Sequence, residues 1–392
     1  MYYLFKTINV GKGDCIMFYL KNNGQELHIM VDCGQYNKDV KDFVEIKFRN
    51  RIDYLIVTHI DDDHIAGVNA MLQSNPNLSI GHILYNCYQR TYDKLQDWDE
   101  AMIENMKRIY ANVPIVIDML EYKISAESSK LLAKTILSNE SWKTAWQREF
   151  ITAQSPTLEL GDDFGKVTFL SPSRNALDAL DKVYRELFWQ HLYKVKDVNV
   201  GYKEEECIYE ALLRCYLENV QNVEDVDIAE VKLDEACLIE ARNKTITNQS
   251  KTNAASIAFV WEHENHRVLI LGDSEPSQIC DSLSELYKEQ NMPILFDLVK
   301  VSHHGSAHGT SLELMEKIDS EHFFLTGGSK LAPSLETLSR IVTSPLSDGI
   351  KHREIMYNRK NEILGKLNSM EDSIKEKYHF SLENKNEYEL SY

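Results

Sequence analysis

Two imidazoles and three carboxylates fall within six residues in Thr58-His59-Ile60-Asp61-Asp62-Asp63-His64. Crowded in this way, such side chains repel or desolvate one another unless positive charge sits among them. A divalent cation supplies that charge, because it takes neutral imidazole nitrogen and carboxylate oxygen together. The segment follows the apolar run Tyr54-Leu55-Ile56-Val57 and precedes Gly67, so it reads as a buried strand that delivers polar side chains from its carboxyl end. The plainer alternative is an acidic, solvated loop with two chance histidines, and the strand before the loop weighs against it.

The segment resembles the H-x-H-x-D-H signature of the metallo-β-lactamase superfamily, in the H-x-D-x-D-H form of the ComEC-type competence proteins and their stand-alone relatives. Three further stretches carry the resemblance. Asn9-Val10-Gly11-Lys12-Gly13-Asp14-Cys15 is similar to the family's V-G-Q-G-D, with Lys12 in place of Gln. Leu269-Ile270-Leu271-Gly272-Asp273-Ser274 is similar to L-L-x-G-D, and Leu298-Val299-Lys300-Val301-Ser302-His303-His304-Gly305-Ser306 to L-K-V-x-H-H-G-S. The matching blocks span residues 1–85 and 250–340. The fold implied is α/β, a four-layer αββα metallo-β-lactamase sandwich with a largely helical insertion.

The resemblance also implies a ligand set of His59, Asp61, Asp63, His64, Asp273 and His303. His59 and Asp61 would hold one ion, Asp63 and His64 a second, and Asp273 would bridge them. One of His303 and His304 would complete the second position; His303 is favoured as nearer the strand end. Asp61 stands where the superfamily has its middle histidine, which makes the set harder and shifts preference from Zn2+ toward Mn2+ or Mg2+. The superfamily's additional histidine has no counterpart in Thr252-Asn253-Ala254-Ala255-Ser256, leaving the first position to water, substrate or Asn253. Two divalent ions are expected, with a one-metal resting state also open. Asp63 is expected to accept a proton from the attacking water, and Lys300 and His304 to hold phosphate oxygens or protonate the leaving group. Lys12, Asn253, Ser256 and Ser306 are the expected substrate contacts. Asp32 and Gly34 read as an ordinary turn more readily than as support for the metal loop. Phe324-Leu325-Thr326-Gly327-Gly328-Ser329 is similar to a late S-x-G-x-x-N element, with Ala332-Pro333 where the family often has His-Pro.

Composition constrains the partners. A net charge of −18 gives no general basic surface for phosphates, so a nuclease of this sequence needs local basic clustering, the field of its own metals, or a small substrate. Between residues 204 and 240, twelve acidic side chains face only Arg214 and Lys232, a pattern suited to a solvated face or a partner surface. The seven cysteines form no C-x-x-C pair and are odd in number, which argues against a disulfide framework and a zinc ribbon. No apolar run reaches membrane-spanning length, and a cytoplasmic protein without membrane contact is the expectation.

The elements that must position these residues divide the chain at 1–87, 88–248, 249–345 and 346–392. The first and third parts would be the two halves of the sandwich, the second a mainly helical insertion with some strand, and the last a charged helical tail. Strands are expected at Tyr2–Val10, Cys15–Leu20, His28–Asp32, Tyr54–Val57, His82–Tyr85, Lys166–Pro172, Ala255–Trp261, Arg267–Leu271, Leu298–Val301 and His322–Leu325. Helical spacing marks Asp97–Ala111, Ser125–Leu137, Ala176–Lys194, Glu204–Val220, Leu312–Ile318 and Leu335–Ile341. The tail reads as helical from His352 to Tyr378, with a short strand at His379–Leu382. The expected activity is that of a metal-dependent phosphodiesterase, foremost a nuclease hydrolysing DNA or RNA inside a multi-protein bacterial system such as antiviral defence. Hydrolysis of a cyclic nucleotide, lactone or thioester, or an interaction module recruiting a partner through the acidic insertion, are the alternatives.

Overall fold

The computed structural model describes residues 1–86, 120–147, 149–180, 233–244, 246, 250–329 and 332–391; the expected helices Asp97–Ala111 and Glu204–Val220, and most of Ala176–Lys194, lie outside them. In chain order the strands begin with β1 (Tyr2–Thr7), β2 (Ile16–Asn22), β3 (Gln25–Val31), β4 (Arg51–Val57) and β5 (Ser79–Tyr85). After these come β6 (Leu158–Glu159), β7 (Lys166–Ser171), β8 (Ala258–His263), β9 (His266–Ile270), β10 (Ile294–Phe296) and β11 (Leu298–Lys300). The last are β12 (Ile318–Ser320), β13 (His322–Leu325), β14 (Arg353–Tyr357), β15 (Phe380–Glu383) and β16 (Glu387–Ser391). Helices are α1 (Lys38–Asp42), α2 (Asp62–Ser74), α3 (Leu120–Leu137), α4 (Glu140–Ala145), α5 (Glu235–Asn243) and α6 (Lys251–Ala254). They continue with α7 (Pro276–Leu286), α8 (Leu312–Lys317), α9 (Leu335–Thr343), α10 (Glu362–Asn368) and α11 (Asp372–Tyr378).

Period-two alternation along the strands builds the layers. Phe18, Ile29 and Ile56 of one sheet meet Phe259, Trp261, Ile270 and Phe324 of the other in a shared core. Their chain neighbours Met17, Met30, Leu55 and Val57 point the opposite way, onto Ile65, Val68 and Leu72 of α2 and Trp142 of α4. On the far side Val260, Leu269, Val299 and Phe323 are covered by Ile279 and Leu283 of α7, Leu338 and Ile341 of α9, and Leu364 of α10. Both faces of both sheets are therefore buried, and the expected four-layer αββα sandwich is the observed one.

The first sheet runs β16-β1-β2-β3-β4-β5, antiparallel as far as β3 and parallel from β3 to β5. The second runs β15-β14-β13-β11-β9-β8-β7-β6, parallel from β15 to β9 and antiparallel beyond. Consequently the carboxyl ends of β3, β4, β9, β11 and β13, followed by Asp32, His59, Asp273, His304 and Thr326, supply one set of loops.

Two parts of the expected organisation change. β7 pairs with β8, so this part of the assigned insertion is an integral strand of the second sheet. The helical tail begins instead with a strand, β14, which extends the second sheet together with β15, the strand expected at His379–Leu382, while β16 closes the first sheet against β1. Its charges misled because Arg353 is fully buried. The guanidinium donates to both oxygens of Asp319 (2.8 and 2.9 Å) and to the carbonyls of Ile341, Ser344 and Pro345. A buried charge is tolerable when every donor is engaged, and a sequence does not display that engagement.

Candidate metal centre

β4 ends at Val57, and the buried Asp32 carboxylate fixes the loop beyond it. It accepts the Thr58 backbone N–H (2.7 Å), the Thr58 hydroxyl (2.6 Å) and the His64 Nδ1 proton (2.8 Å). Asp32 is thus the support of the metal loop and not the ordinary turn residue expected. Asp61 precedes the first turn of α2, which places Asp63 and His64 on the face turned to the same point. The loop fits only against glycines. A Cβ built on Gly13 would lie 1.5 Å from the Asp63 carbonyl oxygen, and one on Gly34 2.2 Å from it.

Hydrogen bonding decides the tautomers. His64 Nδ1 faces a carboxylate, and His304 Nδ1 faces Asp14 Oδ1 (3.1 Å) and the Thr326 carbonyl (3.0 Å), so in each ring the proton is at Nδ1. The Thr58 hydroxyl is already donating to Asp32, so at 3.0 Å it accepts from His59 Nδ1. All three Nε2 atoms are left facing inward, buried without a hydrogen-bond partner, as is Asp273 Oδ1.

These atoms surround one carboxylate oxygen. Asp273 Oδ2 lies 3.8 Å from His59 Nε2, 3.4 Å from His64 Nε2, 3.7 Å from His304 Nε2 and 3.9 Å from His303 Nε2. Asp63 adds Oδ1 at 3.9 Å from His64 Nε2 and Oδ2 at 3.4 Å from His304 Nε2; Asp61 Oδ2 is 3.4 Å from His59 Nε2. Metal bonds of about 2.1 Å give ligand-to-ligand edges of about 3.4 Å in a tetrahedron, so the spacings suit bound cations. Asp14, His64, Asp273 and His304 bring ligand atoms within 4.8 Å of one another. The buried Asp/His cluster fits a dimetal site. His59, Asp61, Asp63, His64 and Asp273 come together as expected. It is His304, however, and not His303, that closes on Asp63 and His64; His303 approaches from the cleft.

A chain of polar contacts stands behind the cluster. Gly272, at φ +50°, turns the chain after β9 so that the Asp273 N–H donates to Ser256 Oγ (3.0 Å). Ser256 is fully buried there and braces the cluster, which rules out the expected substrate contact. Lys300 is fully buried as well. Its ammonium pairs with Asp14, donates to the Gly272 carbonyl (2.8 Å) and lies 3.8 Å from Asp273 Oδ1. It therefore neither grips substrate nor faces solvent, and the catalytic role expected for it is replaced by one of charge balance. Ser306 Oγ holds His303 Nδ1 (2.8 Å), another expected substrate contact with a positioning task. Lys12 and Asn253 do line the cleft. The sequence left Asp14 without a role and made Asp32 a turn residue; the available signal was an Asp two residues before the buried strand β2 and another directly after β3.

Burial disfavours the charged form of His304, yet Asp273 and Asp14 outweigh it and push the imidazole up to about 10; His64 is raised well above its ordinary range against the same desolvation. Asp63 and Asp273 are held well below the carboxylate range, burial being overcome chiefly by His64. The metal-free cluster is therefore proton-loaded, and a cation binding to it must displace protons. His303 differs: burial wins and pushes it down, so its ring is neutral at pH 7. His303 and His304 also sit consecutively in the left-handed region, at φ +49° and +52°. For non-glycine residues such backbone costs roughly 1–3 kcal/mol each and persists where surrounding contacts over-determine it.

The centre opens into a cleft of about 870 Å³ lined by Lys12, Asp61, Asp62, Asp63, Asn253 and His303 among others. Lys12 is the only lysine or arginine among its described lining residues. Gly13→Ala offers a direct test of the loop geometry. Displacing Asp63 by about an ångström should lower turnover roughly 10²-fold while the chain stays folded. Gly365→Ala, where an added Cβ meets nothing within 4 Å, is the control. Wild-type turnover in Gly13→Ala would show that Asp63 does not need this packing.

Residues 10–131 match the family model of the metallo-beta-lactamase superfamily. With the αββα layers and the Asp/His cluster, this defines the class: the chain carries a metallo-beta-lactamase superfamily domain, and members of that superfamily are mostly metal-dependent hydrolases. No curated protein matches the sequence. Among solved structures, CmlA, a diiron beta-hydroxylase from Streptomyces venezuelae, aligns at 10% identity and TM-score 0.39 over 100% of this chain and 54% of its own. The chain thus spans about half the length of CmlA. The metallo-beta-lactamase fold protein YhfI from Bacillus subtilis aligns at 10% identity and TM-score 0.36, over 100% of this chain and 99% of YhfI. Zn(2+)-bound PqqB from Methylobacterium extorquens aligns at 9% identity and TM-score 0.39 over 100% of both chains. No helix among the described residues is long and apolar enough to cross a membrane.

Proposed function

We propose that this protein is a metal-dependent phosphodiesterase whose substrate is a nucleic-acid strand, a stand-alone relative of the ComEC-type nuclease domains. The observation that carries the reading is the single carboxylate oxygen of Asp273 ringed by imidazole Nε2 atoms at the floor of a polar cleft. When bound, a pair of divalent ions would generate a nucleophilic water near neutral pH and neutralise a phosphodiester. The residues of the chain do the rest. His59, Asp61, Asp63, His64, Asp273 and His304 would hold the ions, and Asp32 and Asp14 fix the imidazoles from behind through Nδ1. Asp63, with 39% of its side chain exposed to the cleft, is the carboxylate placed to take the proton of the attacking water. Lys12, which lines the cleft, would meet a phosphate oxygen there. The oxygen-rich set containing Asp61 favours Mn2+ or Mg2+ over Zn2+.

A cleft with Lys12 as its one described lining cation draws little long-range help from the protein, whose net charge is −18. On this reading a protein partner delivers the strand in the cytoplasm, within a multi-protein system such as antiviral defence, and the acidic residues 204–240 are its docking face. Within that segment Asp234 caps α5, and Glu235 pairs with Lys377 and the Tyr378 hydroxyl. The same sparse lining favours a second reading, a small phosphodiester such as a cyclic nucleotide.

Purified protein with Mn2+ is expected to hydrolyse bis-p-nitrophenyl phosphate and short single-stranded DNA, and a chelator should abolish both activities. Cleavage of the first alone would favour the small substrate. Activity that survives exhaustive chelation, or that appears only on lactones or thioesters, would sink the proposal.

A further inference from the structure

The two positions of the centre are unequally furnished. Around the second stand Asp63, His64, Asp273 and His304, whereas the first has His59, Asp61 and the shared Asp273. Resting on the metal-dependent reading above, we infer that His303 completes the first position from the loop after β11.

Four features converge on this. His303 Nε2 lies 3.9 Å from Asp273 Oδ2, nearly the distance at which His59 Nε2 stands from that oxygen, 3.8 Å. Such spacings are those of ligands sharing one cation. The ring is fixed from its other nitrogen, because Ser306 Oγ engages Nδ1 at 2.8 Å, the arrangement by which imidazole ligands are held. The left-handed backbone of His303 and His304 separates the two rings by 6.0 Å, one within the buried cluster and the other, a third exposed, at the cleft. Finally, Thr252 and Asn253 brace the two sides of the same position. Thr252 Oγ1 donates to Asp61 Oδ2 (3.2 Å), and the Asn253 amide reaches the His303 ring at 3.2 Å from Nδ1 and 3.4 Å from Nε2. Consecutive residues of one short helix thus prop Asp61 and His303.

The test measures metal uptake by the full chain, independently of turnover. Protein stripped with chelator is reloaded with Zn2+ or Co2+, freed of excess ion, and assayed for metal per chain and for the visible Co2+ spectrum. Wild type should hold two ions. His303→Ala should hold one tightly and bind the other roughly tenfold or more weakly, with loss of one Co2+ environment. Asn253→His added to His303→Ala should restore the second ion by placing an imidazole beside the vacated one. If His303→Ala is poorly folded, His303→Asn serves in its place. Two tightly held ions in the His303 variants, or a single ion in saturated wild type, would overturn the assignment. Wild type that takes up no metal would instead overturn the metal-dependent reading itself, and this assignment with it.

Discussion

Asp273→Asn should lower kcat/KM on bis-p-nitrophenyl phosphate by roughly 10³-fold or more and strip the protein of bound metal, while leaving its circular dichroism unchanged. The expected size reflects how much meets at one side chain. Oδ2 is within 3.4–3.9 Å of four imidazole nitrogens, and Oδ1 faces the buried Lys300 ammonium at 3.8 Å. Asparagine keeps the volume but removes the charge that both metal positions would share. It also leaves two proton-loaded imidazoles, His64 and His304, without the carboxylate that most raises their pKa values, so both should titrate lower. Metal content and kcat/KM should fall together in this variant. Near-wild-type turnover with full metal occupancy would show that Asp273 is not the bridge.

What the sequence displayed of this centre is what a single strand-to-loop passage can carry. His59, Asp61, Asp63 and His64 follow one apolar run, and Asp273 follows another with a glycine between, so their residue types and spacing announce them. Asp14, Asp32, Ser256 and Lys300 were harder to read, because their roles exist only where separate strand ends meet. Asp32 looks like a turn residue until β3 and β4 lie side by side and its oxygens reach Thr58 and His64. Lys300 looks like a strand-end lysine until Asp14, far away in sequence, is folded against it. The exchange between His303 and His304 is of the same kind: proximity to the strand end favours the first, but two left-handed residues in succession carry the second inward. Likewise the tail's charges concealed β14, since nothing in its sequence says that Asp319 waits to neutralise Arg353. The strands were legible through alternation, which is local, and their four-layer arrangement through the family resemblance; the charge pairs were not, because they are tertiary.

Lys300→Met separates a structural lysine from a catalytic one. Methionine approximates the length of the stem but removes the ammonium, leaving the fully buried Asp14 carboxylate with only His304 Nδ1 and the Thr326 hydroxyl. Breaking a buried pair from one side typically costs about 3–5 kcal/mol, because the surviving charge has lost both water and partner. Urea unfolding should show a clearly lower midpoint, with the unfolding free energy reduced by that amount. Asp14→Asn combined with Lys300→Met should recover part of the loss, since the uncompensated charge is then gone as well. Among molecules that remain folded and metal-loaded, KM for a small phosphodiester should stay close to wild type, because the ammonium lies behind Asp273 and away from the cleft. If Lys300→Met instead raises KM severalfold with its unfolding midpoint unmoved, the ammonium contacts substrate, and the Asp14 pairing is incidental.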